Sequence, residues 1–308
     1  MTITEWLPFS VLVPLIAAPV CALLPGRAAP WLLAFLSALT SLLISAIALP
    51  LLWQGEVSYP FGNWPPPIGI EYRIDAANGL VALLVSAVAT FVLPWARTIN
   101  NFEIPERQGI FYALFLLAFA GLMGITLTGD AFNVFVFLEI SSLSTYALVA
   151  QGWDRRALVA SFRYLIMGTV GATFFLIGIG FLYMMTGTLN MALFPLHLWL
   201  PNAYAYAPNF ITTFLAATAT KVALYVMLRF VFTVFGHDYS FFALPLTGVL
   251  LALAIAGMVA GSWVAMFERN IKRILAYSSV AQVGYIVLGI ALATSAGLTA
   301  GVLHLFNH

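Results

Sequence analysis

Charge is confined to short stations along this chain. Between them, residues 6–26, 28–55, 76–96, 108–129, 164–220, 239–267 and 274–308 hold no Asp, Glu, Lys or Arg. Each run reaches the length of about 20 residues that an apolar helix needs to cross the hydrocarbon of a bilayer. Only 7% of the 308 residues are charged and 63% are hydrophobic, with a mean hydropathy of +1.02. A soluble domain covers itself with about a quarter charged residues, so a water-soluble globule, a disordered chain and a disulfide scaffold are excluded together. The 12 basic and 11 acidic residues leave a net charge of +1, which offers no electrostatic footprint for nucleic acid. The single cysteine, Cys21, can form neither an internal disulfide nor a cysteine metal cluster.

The class that remains is an all-α, polytopic transmembrane bundle of about nine or ten helices. Lipid offers backbone polar groups no partner, and the runs lack the alternation of a barrel strand. The runs place helices over 6–25, 30–53, 76–96, 109–129, 131–152, 163–186, 210–235, 242–266 and 274–293, and a tenth begins near 296. The first span is a retained helix rather than a signal peptide, since Glu5 precedes it and Arg27 follows it. Residues 54–74 are rich in proline and aromatic residues and read as an extended loop or short hairpin at the membrane interface.

Basic residues set an orientation. Arg27, then Arg97 and Arg107, then Arg155, Arg156 and Arg163 follow the first, third and fifth spans, whereas the intervening turns hold only Arg73. The positive-inside rule therefore puts these turns in the cytoplasm and the N-terminus outside, in a plasma or inner membrane. The turn Arg269–Arg273 is also basic, yet only three full spans separate it from Arg163. Something must cross between about 187 and 209, a stretch interrupted by Pro195, Pro201 and Pro208. Either a thin, broken half-helix stands there or a crossing helix has been lost. The last helix, from Ala296 to His308, reads as cut off within the membrane, so a fragment is the simpler expectation.

Most ionisable residues sit at span ends, where they reach the interface easily. Arg229 reads as one of these, and Asp130 as an acid complementing a helix N-terminus. Glu139 and Lys221 are different, because each falls near the middle of a span. A charge at the bilayer centre costs at least about 2.5–3.5 kcal/mol and persists where it faces protein or water. Helical spacing aligns Ser142 and Tyr146 with Glu139, and Thr218 and Tyr225 with Lys221. Two readings are open for the charged pair, a structural ion pair and a proton or cation relay. His304 and His308 share a helix face with Gly297 and Gly301. That spacing suits a proton relay better than haem ligation, whose axial ligands approach from opposite sides, and a packed core histidine is the other open reading. His197 lies between Pro195 and Pro201, and a broken helix at membrane depth is a pointer to a transport site. No nucleotide-binding loop is present, so no cofactor or metal is expected and energy must come from an ion gradient or from partner subunits.

Several stretches in order carry a resemblance: TGDAFNVFVFLEISSLSTYALVA (128–150), FPLHLWLPNAYAYAPN (194–209), ATKVALYVMLRF (219–230), RNIKRILAYSSVAQVGYI (269–286) and HLFNH (304–308). The chain resembles the antiporter-like proton-translocating subunits shared by multisubunit cation/proton antiporters and respiratory complex I, with wording closest to the D-type antiporter subunits. The resemblance implies a fold of about fourteen helices around two inverted five-helix repeats, each with a broken helix. It implies one transmembrane domain over 1–308: N-terminal helices in 1–108, a first repeat in 109–240 missing part of a broken helix near 187–194, and the start of a second repeat in 241–308. Glu139 matches the family's fifth-helix glutamate, Lys221 its eighth-helix lysine, and His304 and His308 the histidines linking two half-channels. Where the family carries a lysine on the broken seventh helix, this chain has Asn190.

The expectation is a proton-conducting subunit of a multisubunit Na+ or K+/proton antiporter. Its relay runs through Glu139, Lys221, His304 and His308, with His197, Ser142, Tyr146, Thr218 and Tyr225 lining it. Its partners are other membrane subunits, protons, monovalent cations and lipid. A pumping subunit of complex I or a membrane hydrogenase is the alternative within the superfamily, and a non-transporting membrane anchor the alternative outside it.

Overall fold

The computed structural model describes residues 3–50, 55–63, 70–103, 107–152, 154–180, 199–238, 240–241 and 246–308. Its helices are α1 Ile3–Trp6, α2 Phe9–Leu23, α3 Ala28–Ala48, α4 Ala76–Glu103, α5 Gln108–Leu127, α6 Ala131–Ala150, α7 Arg155–Gly180, α8 Trp199–Tyr206, α9 Asn209–Leu228, α10 Leu246–Phe267, α11 Ile271–Ala291 and α12 Ser295–Asn307. A π-helical turn, Arg229–Val234, extends α9. Among the described residues seven helices are long and apolar enough to cross a membrane, namely α3, α4, α5, α6, α9 with its π turn, α10 and α11. The hairpin expected in 54–74 is present as β1 Val57–Pro60 paired antiparallel with β2 Glu71–Ile74.

Helix starts follow from side chains that satisfy the free N–H groups of a first turn. The Asp75 carboxylate accepts from the backbone of Ala77 and Asn78, and Asp130 accepts from Phe132 and Asn133. Asn270 and Thr294 cap α11 and α12 in the same way. Asp130 thus occupies the helix start that its sequence position suggested. The charge stations misplaced two boundaries. Helix α7 begins at Arg155, not near 163, and α4 continues to Glu103, past 96. An arginine marks where a helix leaves oil, not where its backbone bonds end, so both helices extend beyond the apolar run.

Packing is centred on α5, which has 83% of its spanning window buried, against 22% for α10 at the periphery. Phe111, Phe115 and Phe119 of α5 are fully buried, and Phe115 packs on Phe210 and Phe214 of α9. A second apolar cluster joins α9 to α10, α11 and α12 through Leu224, Leu250, Val287 and Leu305.

The antiparallel neighbours sort the charges into two faces. Gly109 lies against the carbonyls of Cys21 and Leu24, Gly152 against that of Tyr206, and Lys272 Nζ donates to Ala207 O at 3.0 Å. These contacts collect the turns bearing Arg27, Arg107, Arg155 and Arg269 at one end of the bundle, the basic face. Glu71, Asp75 and Asp130 gather at the other, where Gly129 N donates to Glu71 O at 3.0 Å. Helix α7 runs antiparallel to α6 from the basic face, whereas α8 stands beside Gly152 on that same face. The intervening residues 181–198, which include His197 and Asn190, lie outside the described residues.

Candidate functional site

Lys221 stands midway along α9 and is 4% exposed. Its Nζ donates to Ala216 O at 2.7 Å and lies 3.3 Å from His308 Nδ1. Among the described residues no carboxylate pairs with it. The contact joins two elements 87 residues apart in sequence, because α12 starts at the acidic face and descends to mid-depth. Its path is set by a close crossing: a Cβ on Gly289 of α11 would sit 2.7 Å from Gly297 O, and one on Gly301 would sit 3.1 Å from Ile286 O. The small residues expected to admit a neighbouring helix do so here.

One turn back from His308, His304 Nε2 lies 2.6 Å from Gln282 Oε1 of α11. An amide oxygen only accepts, so this nitrogen carries the hydrogen of that bond. His304 also packs edge-on against Tyr285, and His308 is within electrostatic reach of both His304 and Lys221. The chemical capacity of the group is plain. It holds the buried ammonium of Lys221, the exposed imidazole of His308 and the half-buried imidazole of His304.

The other residues aligned with Lys221 have separate work. Thr218 is fully buried and donates to Phe214 O at 2.7 Å within its own helix. Tyr225 turns away from Lys221 toward the acidic face. Its hydroxyl reaches Thr126 O at 3.3 Å and accepts from Arg229 Nε at 2.8 Å. Arg229 then forms an ion pair with Asp75, both largely buried, beside a cavity of about 120 Å³ lined by Arg73, Thr128, Asp130 and Thr233 among others. Arg229 is therefore not an interfacial side chain reaching for water, as its position near a span end suggested. The Tyr225–Arg229 spacing of four was a visible signal, but Asp75 lies 154 residues away.

Glu139 sits half-buried on α6, and no ion pair joins it to Lys221 among the described residues. Helix α5 packs between the two elements. Ser142 and Tyr146 follow Glu139 at helical spacing on the same face of α6. Tyr146 is 5% exposed and packs edge-on to Tyr164 of α7 with ring centres 4.5 Å apart. The structure thus brings together Lys221, His308, His304 and the unforeseen Gln282 as one group, and Glu139, Ser142 and Tyr146 as another.

Known proteins share both the sequence pattern and the fold. The sequence profile described as "NADH:quinone oxidoreductase/Mrp antiporter, TM" matches residues 128–193 and 188–308. NADH-quinone oxidoreductase subunit N of Desulforudis audaxviator is 42% identical over 97% of this chain and 66% of its own length. The D-type Na(+)/H(+) antiporter subunit of Alkalihalophilus pseudofirmus is 29% identical over 85% of this chain and 58% of its own length. A chain of the Mrp complex from Dietzia sp. superposes with a TM-score of 0.88 at 28% identity, covering 100% of this chain and 62% of that one. The chain spans about two thirds or less of each of these relatives. The alignment to subunit N runs over 333 positions, more than this chain has residues, so that relative carries residues with no counterpart here.

Proposed function

The chain belongs to the NADH:quinone oxidoreductase/Mrp antiporter transmembrane family, and from that premise we propose that it is a proton-conducting membrane subunit whose relay runs through Glu139, Lys221, His304 and His308. It is a multi-pass membrane protein. The observation that carries the reading is the 3.3 Å approach of Lys221 Nζ to His308 Nδ1 at mid-depth. An ammonium can hand a proton to a neutral imidazole across such a contact, and the imidazole can release one from its second nitrogen. His304 stands one turn further along, with Gln282 fixing its ring. No covalent step is required. A proton arriving at one site raises the Coulomb energy of the next, strongly so in a medium of low dielectric.

Glu139 supplies a second loading site beside Ser142 and Tyr146, and His197 belongs to the same proposed path. By the positive-inside rule the basic face is the cytoplasmic one. The two overlapping profile matches at 188–193 support an internal loss within the broken helix.

The driving assembly has two readings. The antiporter relative and the Mrp superposition support exchange of a monovalent cation for protons. The 42% identity to a protein named NADH-quinone oxidoreductase subunit N favours coupling to a redox partner. Purification from the native membrane separates them by the subunits that accompany the chain. The relay is tested in that assembly, reconstituted into vesicles. Lys221→Ala and Glu139→Ala should each abolish proton movement while the subunit still inserts and assembles. Full transport by both variants would end the assignment.

A further inference from the structure

Two buried phenols, Tyr204 and Tyr146, and a half-buried one, Tyr164, lie between Glu139 and the basic face, on three different helices. Tyr204 of α8 is 2% exposed, and its hydroxyl has no hydrogen-bond partner among the described residues. It stands just before Tyr206 and Ala207, whose carbonyls meet Gly152 and Lys272 at the basic turns. Tyr164 comes next, on α7, which packs against both α8 and α6. Tyr146 of α6 packs on Tyr164 and shares its own helix face with Ser142 and Glu139.

The hydroxyl of Tyr146 has a seat made for it. A Cβ on Gly168 of α7 would come within 1.5 Å of that oxygen, so only glycine leaves the phenol its place. From the end of α6 at Ala150 back to Glu139 is 11 residues of helix, about 17 Å at 1.5 Å per residue. The three rings occupy this depth. Packing alone does not explain them, because phenylalanine would fill the same volume without a buried hydroxyl. Leaving such a hydroxyl unpaired costs about 1–3 kcal/mol. Phenols in succession, one without a partner among the described residues and one in a glycine seat, suit a proton wire.

We propose that Tyr204, Tyr164 and Tyr146 form a hydroxyl column that delivers protons from the basic face to Glu139, with Tyr204 as its entrance. Each phenol oxygen accepts one proton and releases its own to the next oxygen, directly or through one bridging water. Every hydroxyl ends neutral, and the Glu139 carboxylate becomes a carboxylic acid. No oxidant or reductant takes part. The proposal rests on the relay reading of Glu139 and names the route by which that site is loaded from one side.

The test uses the complete assembly in vesicles, with Tyr204→Phe, Tyr164→Phe and Glu139→Gln. The phenylalanine variants keep the ring contacts, and thermal melting of the purified assembly checks that they remain folded. Proton flux should fall about tenfold in each phenylalanine variant, the equivalent of one hydrogen-bonded step, and vanish in Glu139→Gln. Infrared spectroscopy after a rapid pH drop supplies a readout that a packing role would not move. The carbonyl band missing from Glu139→Gln should appear about tenfold more slowly in Tyr204→Phe, with unchanged final amplitude. An inactive Glu139→Gln beside fully active Tyr204→Phe and Tyr164→Phe, with unchanged band kinetics, overturns the column and leaves the relay standing. A fully active Glu139→Gln overturns the relay itself, whatever the tyrosine variants do.

Discussion

Lys221 and Arg229 hang from the same helix two turns apart, and the protein treats them in opposite ways. Arg229 is matched on every side: Asp75 supplies the countercharge, and Tyr225 accepts from its Nε and lies beneath its guanidinium. Lys221 is more deeply buried, yet among the described residues it meets only the Ala216 carbonyl and the imidazole of His308. A neutralised cation is held in one state, which suits a fastener between α9 and the start of α4. A cation whose partners are neutral can lose its proton without leaving a stranded countercharge. Position along a span therefore does not separate a countercharged cation from one with neutral partners; the nature of the partner does.

The sharpest way to break this contrast is Lys221→Arg, which keeps the charge but removes the ability to deprotonate. Proton flux in reconstituted vesicles should fall by at least about 100-fold, the scale of a lost proton-transfer group. Normal flux would show that Lys221, like Arg229, acts only as a fixed charge. Next in size is Arg229→Ala, which strands Asp75 in a largely buried position. Thermal or denaturant unfolding in detergent should report a loss of about 3 kcal/mol, with flux falling only as folded protein is lost. Lys221→Met gives the complementary result, a stability change within about 1 kcal/mol, because a buried charge with no countercharge is not a stabilising element. A Lys221→Met loss as large as that of Arg229→Ala would erase the distinction. The smallest effect belongs to Thr218→Val. Its hydroxyl bonds within its own helix, so stability should change by no more than about 0.6 kcal/mol, the average for polar contacts in membrane helices, and flux should not change.

The spans were readable because oil excludes charge, and α5, α6, α10 and α11 run close to the boundaries that the charge-free runs set. Where helices project beyond the apolar run, as at Arg155 and Glu103, the same signal misplaces their ends. Lys221 was legible as an isolated charge in mid-span, and the resemblance attached His304 and His308 to it. Gln282 and Asp75 were not legible. Polar residues are common near helix ends and in partly buried stripes, and only the packing of distant segments assigns them a partner. Glu139 and Lys221, which spacing alone left open as an ion pair, sit on helices that α5 holds apart. Nothing in the local pattern of either helix carries that information.

The glycine crossing of α11 and α12 has a mechanical consequence. With backbone resting on backbone at Gly289 and Gly297, no flexible side chain cushions the two helices, so a displacement of one presses directly on the other. The start of α11 is moored by Lys272 to the Ala207 carbonyl. A small tilt at the mooring would open or close the gap between the Lys221 ammonium and the His308 imidazole, coupling the membrane surface to the middle of the bundle.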